Sequence, residues 1–394
     1  MELSPTQAKA SDGVASWFNQ GEGSEQVFRL FGYAGTGKTT IARYILAQLG
    51  CRFVSATYTG KAASVLQRKC VNASTIHSLI YNVVHPDEDK IKELKKKMHD
   101  APPELARIAR KEFEEANAPK FELRESIDRE GEPPIDLILI DEVSMVGEGL
   151  GRDLLSFGKK VLVLGDPGQL DPVDGAGFFT SAKPDVLLTE IHRQARDNPI
   201  INMATMVRQG HRLRKGKYGS SECIDRRTDA RDPREFEQVI AGTNRTRKNI
   251  NSFYRDLLGY PSATPEQGEK IICLKNNKEK GLLNGTQWRV KQAEDLGYAV
   301  KMEIFPWEAE YTDDADGLLV EAHQFDTDYK ALEWYERNKA DEFDFGYAIT
   351  CHKAQGSQWK NGFIVDESWI FKEASAKWLY TALTRFEERI VVAI

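Results

Sequence analysis

"VFRLFGYAGTGKTTIARYILAQLG" runs from Val27 to Gly50. It opens with a short β-type run, passes through a glycine-rich turn, and continues with apolar residues at helical spacing until Gly50 stops it. Within the turn, Gly32 is followed after four residues by Gly37-Lys38-Thr39. Glycines let the backbone bend so that successive N–H groups point at one anion, and the start of the following helix adds the favourable end of its dipole. Lys38 can then reach the β- and γ-phosphates of a nucleotide, and the Thr39 hydroxyl can ligate Mg²⁺. The stretch predicts a strand, a phosphate-cradling loop and a helix in sequence, the unit of a doubly wound α/β domain.

Working outward, "RFVSAT" reads as the next strand and "GKAASVLQRK" as the next helix. "IDLILI" (135–140) and "KVLVLG" (160–165) are continuous apolar runs, as expected for strands buried on both faces of a parallel sheet. Between 83 and 134 the chain turns charged and helix-prone ("DEDKIKELKKKMHD", "PELARIARKEFEEANA"), which predicts an inserted, mainly helical subdomain. Its one β-like piece, "KFELRESI" (120–127), is the candidate wedge. "FEQVIAGTNRTRKNINSFYRDLLG" repeats the order strand, turn, helix. Short β-type runs from about 270 to 342 predict a small β-barrel, after which "FGYAITC", "GFIVDES", "ASAKWLYTALTR" and "RIVVAI" resume the α/β pattern. The expected organisation is an α/β fold with one domain from 1–82 and 135–190, the insertion at 83–134, a second domain from 191–287 and 343–394, and the barrel at 288–342.

The composition of the 394 residues, 41% hydrophobic, is that of an ordinary soluble protein. The longest apolar runs fall far short of the roughly 20 residues that cross a bilayer, so no membrane association is expected. "MELSPTQAKA" has neither a basic nor an apolar signal region, so no secretion signal is expected. Five cysteines without a CxxC pair argue against a zinc site or disulfide framework and suit a reducing cytoplasm. The net charge of −6 hides an asymmetry: residues 193–255 hold 15 Lys/Arg against 7 Asp/Glu. Such a stretch fits a groove for a phosphate backbone, or a solvated basic loop.

Two further strand ends carry chemistry. "LILIDEVSM" places Asp141 and Glu142 after a hydrophobic strand, where a P-loop NTPase needs one carboxylate for Mg²⁺ and a second to orient or deprotonate the attacking water. "VLVLGDPGQLDPV" ends another strand with Asp166 and Gln169, and a glutamine there can sense a γ-phosphate.

These motifs, in this order and with "SATYTGKAAS", "STIHSL", "LTEIHRQA", "TCHKAQG" and "LYTALTR", resemble the superfamily 1 helicases of the B group, the RecD/Dda-like 5′-to-3′ DNA helicases, of the phage Dda type. The resemblance covers nearly the whole chain. It implies two RecA-like domains with ATP and Mg²⁺ between them and single-stranded DNA across the top of both. It implies that Gln7 reads the adenine and that Gly35, Thr36, Gly37, Lys38, Thr39 and Thr40 hold the phosphates. Thr39 and Asp141 would hold the metal, with Glu142 as catalytic carboxylate and Gln169 as γ-phosphate sensor. Arg193 and Arg385 would reach the γ-phosphate from the second domain, and Gln355 and Gly356 would sit near the nucleotide. Thr57, Tyr58, Thr59, Lys61, Thr75, His77, Asn244, Arg247, Thr350, His352 and Lys353 would face DNA, with Lys353 able to serve either side. Tyr58, Asp171, Gln358 and Phe386 depart from the usual Pro, Pro, Glu and Ala, and none of these changes removes a catalytic group. The barrel, similar to the family's SH3-like module, carries aromatics (Trp288, Phe305, Trp307, Tyr311, Phe325, Tyr329, Trp334, Tyr335) that either contact DNA or fill its core.

The expectation is thus an ATP-dependent translocase, a monomer acting on single-stranded DNA and single-strand/duplex junctions, with single-stranded-DNA-binding or replication proteins as partners. Its place would be the cytoplasm of a bacterium or a phage-infected cell, in replication or recombination. The direction of travel follows from the resemblance alone. Two rivals stay open: an RNA helicase or RNP remodeller of the same superfamily, and a P-loop ATPase loading module without unwinding of its own.

Overall fold

The computed structural model describes residues 3–21, 23–69, 73–84, 88–117, 120–172, 175, 177–191, 197–226, 235–277, 279–309, 317–325, 327–328, 332, 337 and 339–394. The chain divides into two compact units, one of residues 1–79, 126–261 and 346–394, the other of 80–125 and 262–345.

The first unit begins with α1 (Pro5–Phe18), closed by a capping box in which Ser4 and Gln7 exchange hydrogen bonds. There follow β1 (Val27–Gly32), α2 (Lys38–Leu49), β2 (Phe53–Thr57), α3 (Gly60–Lys69), β3 (Ala73–Thr75) and α4 (Ile76–Ile80). After the excursion into the second unit come β6 (Leu137–Asp141), α7 (Glu148–Leu155), β7 (Lys160–Gly165) and β8 (Val186–Leu188). The six strands form one parallel sheet in the order β3-β2-β6-β7-β1-β8. Leu137–Ile140 and Val161–Leu164 are fully buried, which is why these strands read as unbroken apolar runs.

A second six-stranded sheet belongs to the same unit. After α8 (Pro199–Arg208) it takes β9 (Gly216–Tyr218), β10 (Ser221–Ile224) and β11 (Gln238–Ala241), the last leading into α9 (Asn244–Leu258). The chain returns to it with β17 (Ala348–Thr350), the one-turn α10 (Cys351–Ala354), β18 (Trp359–Val365), α11 (Ser375–Leu383) and β19 (Phe386–Ala393). The order is β17-β11-β18-β19-β10-β9, parallel except for the edge strand β9. Two mainly parallel sheets, each flanked by helices, make the expected pair of RecA-like domains.

The second unit holds a two-stranded ribbon, β4 (Tyr81–Val84) with β5 (Lys120–Leu123), joined by the helices α5 (Glu88–Asp100) and α6 (Pro103–Asn117). It also holds a five-stranded antiparallel sheet of β12 (Lys270–Cys273), β13 (Gln287–Asp295), β14 (Val300–Pro306), β15 (Leu318–Ala322) and β16 (Phe343–Phe345), in the order β15-β14-β13-β12-β16. This sheet is wider than the expected 288–342, because β12 pairs with both β13 and β16 and so draws in both flanks. The first insertion also differs from the expected 83–134: the ribbon starts at Tyr81, and residues 126–134 return to the first unit. There Asp128 accepts from Ile135 N (2.7 Å) and Lys159 Nζ (2.7 Å). Of the barrel's aromatics, Trp288 and Phe305 are buried, Phe325 packs on Phe345 (ring centroids 4.8 Å apart), and Trp307 is half-buried under Lys270 and Arg289. Tyr311, Tyr329, Trp334 and Tyr335 lie outside the described residues. Among the described residues no helix is long and apolar enough to cross a membrane.

Candidate nucleotide cleft and nucleic-acid edge

β1 ends at Gly32, and the turn beyond it bends through Gly35 and Gly37, at φ of 79° and 74°, a conformation that glycine adopts without steric cost. α2 starts at Lys38 with no side-chain cap. Its first-turn N–H groups have no intrahelical acceptor and stand at the wall of a pocket of about 680 Å³. The Lys38 ammonium donates to the carbonyls of Gly32 (2.6 Å) and Tyr33 (3.2 Å) and lies 3.7 Å from Asp166 Oδ2. Thr36 is buried, its hydroxyl donating to Tyr33 O (2.8 Å), while Thr40 is exposed on the cleft wall.

Across the pocket, Thr39 Oγ1 donates to Asp141 Oδ2 (3.1 Å). Burial first, and the adjacent charge of Glu142 second, push the enclosed Asp141 carboxyl up to about 6. Glu142 sits at φ 57°, a backbone region costly for a residue with a Cβ, and its side chain stays 34% exposed. A hydroxyl beside two carboxylates is a hard-oxygen donor set that fits Mg²⁺, and an uncapped helix start with a lysine fits a nucleotide's phosphates.

The second sheet closes the same cleft. Arg385, 4% exposed, places Nη1 3.9 Å from Glu142 Oε1 and is held from behind by Thr381 O (3.2 Å). In the amide orientation that satisfies both ends, Gln169 donates to Glu142 Oε2 (3.1 Å) and accepts from Arg385 Nη2 (3.2 Å). Gly356, at φ 73°, packs where a Cβ would come within 2.9 Å of Thr59 Oγ1 and 3.0 Å of Ala62 Cβ. Gln355, buried, donates to Leu170 O (3.3 Å). Arg193 lies outside the described residues.

Gln7 lies directly against the P-loop. It is 2% exposed, belongs to the cap of α1, and donates to Thr36 O (3.4 Å), so it buttresses the loop from below. Thr57 is placed differently from its expected role. It is buried in the cleft wall, with its hydroxyl donating to Thr59 O (2.9 Å), so it shapes the turn and presents no free side chain to DNA. Arg247 is buried on α9 and donates to Asn244 Oδ1 (3.3 Å), which makes it a holder of the exposed Asn244.

The other expected DNA-facing residues gather at the carboxyl ends of the strands. Half-buried Tyr58 follows β2 with its ring edge-on to exposed His77 (6.1 Å). Lys61 lies over the Trp359 ring (4.9 Å), and Thr75 caps α4 by accepting from Ser78 N (3.1 Å). Thr350 ends β17, and His352, whose burial holds its imidazole below the usual range, sits 5.9 Å from the Phe371 ring beside exposed Lys353.

Two contributors escaped the sequence reading. Tyr380 bridges Ala34 N and Asp166, and Glu367 holds the start of α9. Tyr380 looks like one more apolar position of "WLYTAL", and Glu367 like a turn acid; neither carries a local signal.

Residues 2–229 match the AAA domain family, and residues 345–393 match the UvrD-like helicase C-terminal domain. The ATP-dependent RecD2 DNA helicase of Deinococcus radiodurans is 30% identical over 287 residues, covering 66% of this chain and 36% of that protein. A probable conjugal transfer protein TraA of Sinorhizobium fredii is 23% identical over 434 residues, covering 99% of this chain and 32% of that protein. The chain thus spans about a third of the length of the curated relatives it matches. In fold it is similar to Bacteroides Pif1 bound to ssDNA, with a TM-score of 0.54 at 19% identity, covering 100% of this chain and 92% of that one. A structure of two coordinating Pif1 helicases at forked dsDNA gives 0.55, again at 19% identity and with the same coverage. The chain belongs to the AAA domain family, and its last strands and helix carry a UvrD-like helicase C-terminal domain.

Proposed function

We propose that the chain is an ATP- and Mg²⁺-dependent DNA helicase that moves 5′-to-3′ along single-stranded DNA and unwinds duplex. The observation that carries this is the convergence of Glu142, Gln169 and Arg385 on the P-loop cleft, with Arg385 supplied by the second sheet. A site completed by two domains turns over only when they close, which is what a motor requires.

In this reading Lys38 exchanges the Gly32 and Tyr33 carbonyls for phosphate oxygens. Thr39 and Asp141 would hold Mg²⁺, which would supply positive charge against the nucleotide's phosphates. Glu142 takes the proton of the attacking water, Gln169 orients it, and Arg385 offsets the charge that develops on the transferred group. Arg193 would be the second such arginine. The loop from Thr350 to Gly356 links the cleft to DNA: Gln355 and Gly356 touch Leu170 and Thr59, while Thr350 and His352 open onto the strand-end edge. Backbone and stacking contacts at that edge suffice, since a motor must not prefer bases. The wedge is the ribbon of β4 and β5, where Phe121 and Leu123 stand 58% and 42% exposed and Phe121 meets Tyr81 edge-on at 6.4 Å. Support comes from relatives named as an ATP-dependent DNA helicase and as Pif1 bound to single-stranded or forked DNA.

The test compares unwinding of duplexes carrying a 5′ or a 3′ single-stranded tail, with ATPase stimulation by DNA and RNA oligonucleotides alongside. Unwinding from the 5′ tail with stimulation by DNA is expected. Preference for the 3′ tail, stronger stimulation by RNA, or ATP turnover with no strand separation would each overturn a stated part of the reading.

A further inference from the structure

Helix α11 grips the loop that follows β7 at three points. Lys377 Nζ donates to Asp171 Oδ2 (2.7 Å), Thr381 Oγ1 accepts from Leu170 N (2.9 Å), and between them Tyr380 reaches deepest. The Tyr380 ring is 2% exposed. Its hydroxyl accepts from Ala34 N of the P-loop (2.8 Å) and donates to Asp166 Oδ2 (2.8 Å). That same carboxylate oxygen faces the Lys38 ammonium at 3.7 Å, while Asp166 Oδ1 accepts from Gly168 N (2.9 Å). A Cβ at Gly168 would stand 2.9 Å from the tyrosine ring, so a glycine there lets the ring seat. Arg385 follows five residues later and is tied to the same helix through Thr381 O.

We propose that Tyr380 is a positioning residue that relays phosphate occupancy of the P-loop to Arg385 through the carboxylate it shares with Lys38. The relay rests on the ATPase reading of the cleft. A buried carboxylate that loses a cationic neighbour is costly unless its remaining donors hold it. Phosphate that draws Lys38 forward therefore leaves Asp166 dependent on the Tyr380 hydroxyl and the Gly168 N–H. The Tyr380 bond tightens, and α11 with Arg385 is fixed against the P-loop only when phosphate is there to be cleaved. The oxygen carries the relay; the ring supplies the packing.

Tyr380→Phe in the full chain separates the two. Wild-type turnover of ATP with saturating single-stranded DNA is measured first. No turnover there overturns the ATPase reading and the relay with it, whereas a result confined to the variant bears on the relay alone. For Tyr380→Phe, kcat should fall roughly ten- to hundredfold, as misplacement of a reacting group does. The affinity for a non-hydrolysable ATP analogue should fall by no more than a few-fold, the reciprocal of the coupling that is lost, and so by far less than kcat. Asp166→Asn should mimic the loss in kcat, and the double variant should be little worse than the worse single one, because both remove the same link. A kcat for Tyr380→Phe within twofold of wild type, matched losses of kcat and analogue affinity, or additive losses in the double variant would each overturn the relay.

Discussion

Two strand-turn-helix units of this protein look alike and behave oppositely. β1 leads through its glycine turn into α2, and β11 leads through Gly242-Thr243 into α9. Both turns lie at the carboxyl edge of a parallel sheet and end on a helix start that favours an anion. The first is left without a side-chain cap and opens on the cleft. The second is filled from within. Glu367, 4% exposed, accepts from Gly242 N (2.8 Å), Thr243 N (3.0 Å) and Thr246 Oγ1 (2.6 Å), with Arg226 Nη2 3.4 Å away. A Cβ on Gly242 would meet Glu367 Cβ at 2.6 Å, so the glycine there admits a side chain of the protein itself. The same backbone physics thus serves a ligand in one half and internal cohesion in the other. The second sheet, with its anion site closed, contributes Arg385 and Tyr380 to the first sheet's nucleotide site instead.

The open turn is the catalytic one in this reading, and its loss carries the largest effect. Glu142→Gln should lower ATP turnover by about 10²–10⁴-fold, the range for a lost general base, with nucleotide affinity little changed. Steady-state kinetics and equilibrium binding of a fluorescent analogue would check it. The closed turn predicts a different kind of loss. Glu367→Ala leaves two half-buried N–H groups and a hydroxyl without their acceptor, and should cost about 1–3 kcal/mol in denaturant unfolding while Mg²⁺-nucleotide affinity holds.

The pH dependence should sharpen the contrast. Asp141 must lose its proton to hold a cation, so turnover should fall about tenfold per pH unit below about 6, and added Mg²⁺ should shift that limb to lower pH. For the protein alone the sign reverses. The raised carboxyl contributes stability that is fully present below its unfolded value of 3.8 and lost as pH rises through about 6. Thermal unfolding and turnover measured across that window should therefore run in opposite directions. The smallest effect belongs to the strand-end edge. Tyr58→Ala should weaken single-stranded DNA binding by about 1 kcal/mol, roughly fivefold, with ATP binding unaffected; fluorescence anisotropy of a labelled oligonucleotide would check it.

Legibility in the sequence followed the range of the interactions. Val27–Gly50 and the runs at 135–140 and 160–165 were readable because phosphate cradling and burial on both faces each leave a local pattern. Asp141 and Glu142 were readable because they end such a run. Tyr380 and Glu367 were not, because their partners Asp166 and Thr243 stand 214 and 124 positions away and only the fold brings them together. The flanks of the barrel are hidden for the same reason: β12 reads as a strand, β16 does not, and nothing local says that the two pair. Gln7 and Thr57 show the complementary limit. Their positions in the motifs were readable, but what their side chains are occupied with was not.

In the proposed engine the first sheet binds the nucleotide and the second completes the site. Arg385→Ala tests it most directly, by measuring DNA-stimulated turnover and binding of a non-hydrolysable ATP analogue on the same preparation. Turnover lower by about 10²–10³-fold, the loss seen when one transition-state donor is removed, with analogue affinity within a few-fold of wild type, is the predicted result. Turnover within threefold of wild type would contradict it.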